Sequence, residues 1–112
     1  MSNDKPLKPV PVSERMFQEQ VLKLAVINGW RHFHPTPHHV RAGVWRSDGK
    51  GFPDLVLAHY KRGLIFAELK DISGKVGTEQ MEWAISLNPW CEYYVWRPRD
   101  LQQIAERLGR AA

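Results

Sequence analysis

Apolar positions along the chain recur at two different periods. From Ser13 to Asn28 the side chains of Phe17, Val21, Leu24 and Ala25 fall on one arc when residues are spaced about 100° apart, which predicts a helix. Ser13 is suited to cap it, Glu14 stands in its first turn and Gly29 ends it. Glu14 falls inside the apolar arc, with Gln18 at its border and Glu19 nearly opposite. The spacing therefore predicts a carboxylate turned inward, which is costly unless something compensates its charge.

After the helix, Trp30 to Phe33 predicts a short strand that Pro35 and Pro37 bring to an end. His34 to Lys50 reads as a basic loop carrying His34, His38, His39, Arg41, Arg46 and Lys50, with Gly43 and Gly49 letting the backbone turn. The period then drops to two. Asp54 to His59 and Leu64 to Leu69 predict strands joined at Lys61-Arg62-Gly63 as an antiparallel hairpin. Beyond Gly74 and Gly77, Thr78 is expected to cap a helix running to about Leu87, with Met81, Ala84, Ile85 and Leu87 on its apolar face. Asn88-Pro89 marks a turn and Glu92 to Trp96 a further strand. Asp100 and Gln103 are expected to form a capping box for a last helix, whose apolar side is Leu101, Ile104, Ala105 and Leu108.

Pro6, Pro9 and Pro11 make residues 1–12 a flexible tail in this reading and 13–112 the folded domain. The order of elements predicts an α/β fold: one mixed sheet of about four strands flanked by helices, with the strand order open.

Composition adds bounds. A chain of 112 residues with 43% hydrophobic and 25% charged residues has the makeup of one globular domain. The formal charge of +4 suits a polyanionic partner such as nucleic acid. Cys91 is the single cysteine, so no internal disulfide forms. No apolar run nears the ~20 residues that span a bilayer, and MSNDKPLKPVPV has no signal-peptide character. The expectation is a cytoplasmic protein with no membrane partner.

The candidate chemistry lies in GFPDLVLAHYKRGLIFAELK, from Gly51 to Lys70. Side chains alternate faces along a strand, so Phe66, Glu68 and Lys70 share one face while Ile65, Ala67 and Leu69 share the other. With the hairpin in register, Asp54 at the head of one strand lies beside Glu68 near the end of its neighbour. Two carboxylates so close repel unless a proton or cation separates them. Hard oxygen ligands favour Mg²⁺ or Mn²⁺, and Lys70 would project beside the ion. Such a group suits phosphodiester hydrolysis.

Asp54, thirteen intervening residues, then Glu68-Leu69-Lys70 resembles the PD-(D/E)XK nuclease signature, with Pro53 supplying the proline. The wider pattern is similar to one branch of that superfamily, the VRR-NUC domain of small phage nucleases and of a crosslink-repair nuclease. The matching pieces are SERMFQ from Ser13, GW at Gly29, GFPDLVL from Gly51, FAELK from Phe66, TEQMEW from Thr78 and VWRPRDL from Val95.

The resemblance implies a restriction-endonuclease-like core in which Asp54, Glu68 and the backbone carbonyl of Leu69 hold the metal. Glu14 matches an additional acid that reaches the metal directly or through water, and Gln80 a glutamine that orients Lys70 or a phosphate. It further implies a DNA endonuclease acting on branched or Holliday-junction-like DNA as a homodimer. Some related nucleases place Tyr four residues after this Gln, where this chain has Ala84, and the basic loop has no counterpart. His34, Arg41, Arg46 and Lys50 are the candidate DNA contacts, and Trp45 the candidate for base stacking.

Simpler roles exist for each residue. Glu68 and Lys70 could form an exposed ion pair worth about 0–1 kcal/mol, Glu14 could serve the helix dipole, and Gln80 could be solvated. The run HFHPTPHH lacks the partner ligands of a structural zinc site. The alternative function is a non-catalytic nucleic-acid-binding module on the same fold.

Overall fold

The computed structural model describes residues 13–35 and 50–110, together with the backbone of 38–41 and 44–46. The expected tail therefore lies outside the described residues. Helix α1 (Glu14–Ile27) begins where the Ser13 hydroxyl accepts the Met16 N–H at 3.1 Å, and it ends at Asn28 and Gly29, whose φ of 81° is left-handed. Strand β1 (Arg31–Phe33) follows, then β2 (His38–Arg41) and β3 (Val44–Arg46), β4 (Leu55–His59), β5 (Gly63–Leu69), helix α2 (Thr78–Leu87), β6 (Glu92–Trp96) and helix α3 (Leu101–Leu108).

Four of these strands form one sheet in the order β1-β4-β5-β6. β4 runs antiparallel to both β1 and β5, and β6 lies parallel to β5 after the crossover through α2. The result is the mixed four-stranded α/β sheet with flanking helices that the element order predicts.

The two faces of the sheet are unequal. Leu55 and Leu57 of β4, Ile65, Ala67 and Leu69 of β5 and Trp96 of β6 form a dry layer with Phe17, Val21 and Ala25 of α1 and Ile104 and Leu108 of α3. This is the core, and apolar burial on this side supplies the main driving force for folding. The opposite face carries Val56, Phe66, Glu68 and Tyr93, and among the described residues α2, in which no residue is fully buried, and Phe52 pack against it.

Long-range hydrogen bonds lock the dry side. The indole N–H of Trp30 donates to the Leu108 carbonyl at 2.8 Å, and the Arg62 guanidinium donates to Asn28 O at 2.8 Å and to Leu108 O at 3.2 Å. Carbonyls at the C-terminal ends of α1 and α3 are thereby satisfied from the β4–β5 turn and the start of β1. Arg107, itself buried, pairs with Glu92 and donates to the Arg62 carbonyl at 2.7 Å.

Four local expectations are corrected. The basic stretch expected as a loop contains the antiparallel pair β2–β3, which strand-forming Val40, Val44 and Trp45 favour. Gly77, not Thr78, is the N-cap of α2, and its N–H donates to the Gln80 side chain at 2.7 Å. Asp100 makes no box with Gln103; its carboxylate accepts the Arg97 N–H at 2.9 Å and closes a 3-10 turn (Pro98–Asp100) that leads into α3. In α2 the half-buried side is Gln80, Trp83, Ala84 and Leu87, whereas Met81 and Ile85 are exposed. The Gln80 bond to Glu68, the Trp83 bond to the Lys50 carbonyl and the edge-on contact of Trp83 with Phe52 set which side of α2 faces inward. Among the described residues no helix is long and apolar enough to cross a membrane.

Candidate active site

The open face and the carboxyl ends of the parallel pair β5–β6 meet at Glu68, the kind of location where open α/β sheets place their ligands. Leu55 pairs with Ala67, so Asp54, one residue before β4, stands opposite Glu68. Backbone and side-chain bonds fix Asp54 from two sides. Its Oδ2 accepts the Leu69 N–H at 2.8 Å, and its carbonyl lies 2.7 Å from His34 Nδ1.

Glu68 is only 2% exposed. Its Oε2 accepts a hydrogen bond from the Gln80 amide at 2.6 Å and lies 3.8 Å from the Lys70 ammonium. Its Oε1 is buried with no partner among the described residues. Burial, then repulsion from Asp54, push the Glu68 carboxyl up to about 8; the Lys70 ammonium opposes this and the more distant charge of Glu14 adds to it. A carboxyl so placed takes either a proton or a cation.

The segment before Asp54 positions α2 over this acid. Gly51 has φ of 83°, and a Cβ there would stand 2.5 Å from the Glu79 backbone carbon, so only glycine lets the strand entry pass this close to the first turn of α2. Phe52 then packs edge-on against Phe66 at 5.9 Å and against Trp83 at 4.9 Å between ring centroids. The Trp83 indole donates to Lys50 O at 3.0 Å. These contacts hold α2 at the height where Gln80 meets Glu68.

Among the residues singled out from the sequence, the structure brings together Asp54, Glu68, Leu69, Lys70 and Gln80, with His34 at the Asp54 carbonyl. Gln80 engages Glu68 rather than Lys70. The expectation that Glu14 turns inward is corrected: its side chain is exposed on the first turn of α1, because the buried stripe of that helix begins at Phe17, and its influence on Glu68 is the smallest of the contributions. Lys50 is exposed and forms an ion pair of 3.8 Å with Glu79. The Arg41 and Arg46 side chains, with that of Trp45, lie outside the described residues.

Tyr93 was not singled out from the sequence. It pairs with Phe66 in register and so shares the face of Glu68, and its hydroxyl is buried without a partner among the described residues. Burial and the charges of Glu68 and Asp54 push that phenol up to about 12. Only knowledge that β6 lies parallel beside β5 could have revealed it.

The donor set fits a hard dication. Two facing carboxylates, one with a buried oxygen left unpaired, match the way Mg²⁺ is held by one or two carboxylates while keeping several waters. Among the described residues no group of three or more His, Cys, Asp or Glu side chains is arranged to hold a metal. Compared with protein-family models, curated proteins and solved structures, the chain matches none.

Proposed function

We propose that this protein is a metal-dependent DNA endonuclease of the VRR-NUC type within the PD-(D/E)XK superfamily. One observation carries the reading: Glu68 is buried with an unpaired oxygen, faces Asp54 across the hairpin and has the Lys70 ammonium 3.8 Å away. A fold with no use for the pair would relieve such repulsion with one neutral residue.

Asp54, Glu68 and the Leu69 carbonyl would hold Mg²⁺ or Mn²⁺, which when bound polarises the phosphate and supplies water of lowered pKa. The chain's own groups supply the rest. Gln80 pins Oε2 of Glu68 and leaves Oε1 free, and the Leu69 N–H pins Oδ2 of Asp54, so both carboxylates are oriented before substrate arrives. Water attacks phosphorus and the bond to the 3′ oxygen breaks. Lys70 stands where it can offset the negative charge that develops on the phosphoryl oxygens.

His34 and the basic side chains of Arg41, Arg46 and Lys50 are the proposed DNA contacts, in keeping with the net charge of +4. Branched or junction DNA is the proposed substrate. Symmetric cutting of a junction calls for two sites related by a twofold axis, hence a homodimer.

The test incubates the protein with labelled linear duplex, flap and four-way junction in Mg²⁺, Mn²⁺ or EDTA. Cleavage should require metal and disappear in Asp54→Asn and Lys70→Ala while DNA binding persists. Binding without cleavage by the unaltered protein in every metal would replace the reading with the non-catalytic module, and equal cutting by Asp54→Asn would place the chemistry elsewhere.

A further inference from the structure

The described residues contain two buried side-chain oxygens without a hydrogen-bond partner, Glu68 Oε1 and the Tyr93 hydroxyl. Buried polar atoms are nearly always paired, because leaving one unpaired costs its full desolvation. That both exceptions occur at one place in the fold needs a reason.

They are neighbours by construction. β5 and β6 are parallel, Phe66 pairs with Tyr93 and Glu68 with Val95, so Tyr93 is the diagonal neighbour of Glu68 on the open face. Diagonal neighbours on a sheet lie within reach of long side chains. The electrostatics agree, since the phenol feels the charges of both Glu68 and Asp54. One oxygen is an acceptor and the other a donor, yet they do not satisfy each other.

The donor is the informative member. Asp54 and Glu68 offer acceptor oxygens, but Asp54 Oδ2 is engaged by the Leu69 N–H and Glu68 Oε2 by Gln80. The Tyr93 hydroxyl is a donor on the same face as these acids, and no described group accepts from it. What it lacks is an acceptor arriving from outside. An anionic phosphate oxygen is such an acceptor, and the acid pair is where a metal-bound phosphate would be delivered. A phenylalanine would fill the same volume without burying a hydroxyl, so packing gives no account of the oxygen.

We propose that Tyr93 is a substrate-binding residue whose hydroxyl donates a hydrogen bond to a non-bridging phosphate oxygen brought to the Asp54–Glu68 pair. The assignment rests on the phosphodiesterase reading and adds to it a ligand contact on a strand that the nuclease signature does not touch. Lys70 and Tyr93 then approach the phosphate from β5 and β6 respectively, one with a charge and one with a neutral donor.

Tyr93→Phe tests it, because the substitution removes one oxygen and keeps the ring. With three tyrosines in the chain, 3-fluorotyrosine labelling gives a ¹⁹F spectrum assignable by Tyr60→Phe, Tyr93→Phe and Tyr94→Phe. The expected result is a shift of the Tyr93 resonance when inorganic phosphate is added in the presence of Mg²⁺. Tyr93→Phe should keep the wild-type melting temperature within a few degrees and the Mn²⁺ affinity within about threefold. It should lower kcat/KM for DNA cleavage by about 10- to 100-fold, the span of one charge-assisted hydrogen bond, and exposed Tyr60→Phe should change neither. Wild-type kcat/KM in Tyr93→Phe, or a Tyr93 resonance indifferent to phosphate, would overturn the assignment. If the unaltered protein cuts no DNA, the nuclease reading fails, and the ¹⁹F response to phosphate still decides Tyr93: a shift upholds a phosphate contact and silence refutes it.

Discussion

Gln80 donates to the buried Oε2 of Glu68 at 2.6 Å while its own carbonyl oxygen accepts the Gly77 N–H at 2.7 Å. One side chain thus closes the start of α2 and orients the acid on β5. The helix cap and the site share a single amide, so neither can be altered alone.

Gln80→Ala is accordingly expected to act twice. Loss of the cap and of a bond to a buried carboxylate should destabilise the protein by about 1–3 kcal/mol, read by urea unfolding. Cleavage should fall by more than the loss of folded protein explains, measured at a temperature where both proteins are fully folded. Gln80→Glu should be worse for activity, because it adds a third negative charge beside Glu68 and Asp54.

The raised Glu68 carboxyl sets a pH dependence with a definite sign. Its value is about 8 in the folded metal-free protein against an ordinary 4.5, so between these values the native state holds a proton that the unfolded chain releases. This group's contribution to stability is complete below about 4.5 and is lost as pH rises to about 8. Melting temperatures across this window in EDTA should decline for the wild type and decline less for Glu68→Gln. Mg²⁺ or Mn²⁺ should raise the melting temperature more at pH 8 than at pH 6, with proton release on binding detectable by calorimetry in buffers of different ionisation enthalpy.

Gly51→Ala should be among the most damaging changes outside the acids. A Cβ at 2.5 Å from the Glu79 backbone carbon, at a positive φ, forces α2 away from the strand entry. A cost of about 2 kcal/mol or more is expected, with loss of cleavage because Gln80 leaves Glu68. Gly109→Ala is the control: φ there is −88° and the nearest atom would be 3.4 Å away, so stability should change little.

Trp30→Phe removes the indole donor to Leu108 O and puts a smaller ring in a buried position. Lost bond and cavity together should cost about 2–4 kcal/mol in denaturant unfolding and leave kcat/KM of the folded protein unchanged, since both lie on the dry side of the sheet.

The site was legible in the sequence where geometry is local. The β4–β5 turn is short, so strand parity was enough to place Asp54 against Glu68 and to separate Glu68 and Lys70 from Ile65, Ala67 and Leu69. Legibility was partial where specific hydrogen bonds choose the contact side. Ala84 and Leu87 lie on the half-buried side of α2 as the apolar pattern predicts, but Met81 and Ile85 are exposed, because the bonds of Gln80 to Glu68 and of Trp83 to Lys50 O rotate the helix toward its Gln80 and Trp83 side. Glu14 failed for a related reason, because an arc on a helical projection does not say where the core stops along the axis. Tyr93 depended on the neighbour of β5, which no local pattern specifies.

β5 carries two alternating vocabularies. Ile65, Ala67 and Leu69 face the dry layer, and Phe66, Glu68 and Lys70 the open face. Drift can therefore rewrite every second letter to change the chemistry of the open face while the intervening letters keep the core packed. Inserting one residue after Gly63 is a different event, since it exchanges the two sets at a stroke, sending a lysine into the oil and a leucine to the water.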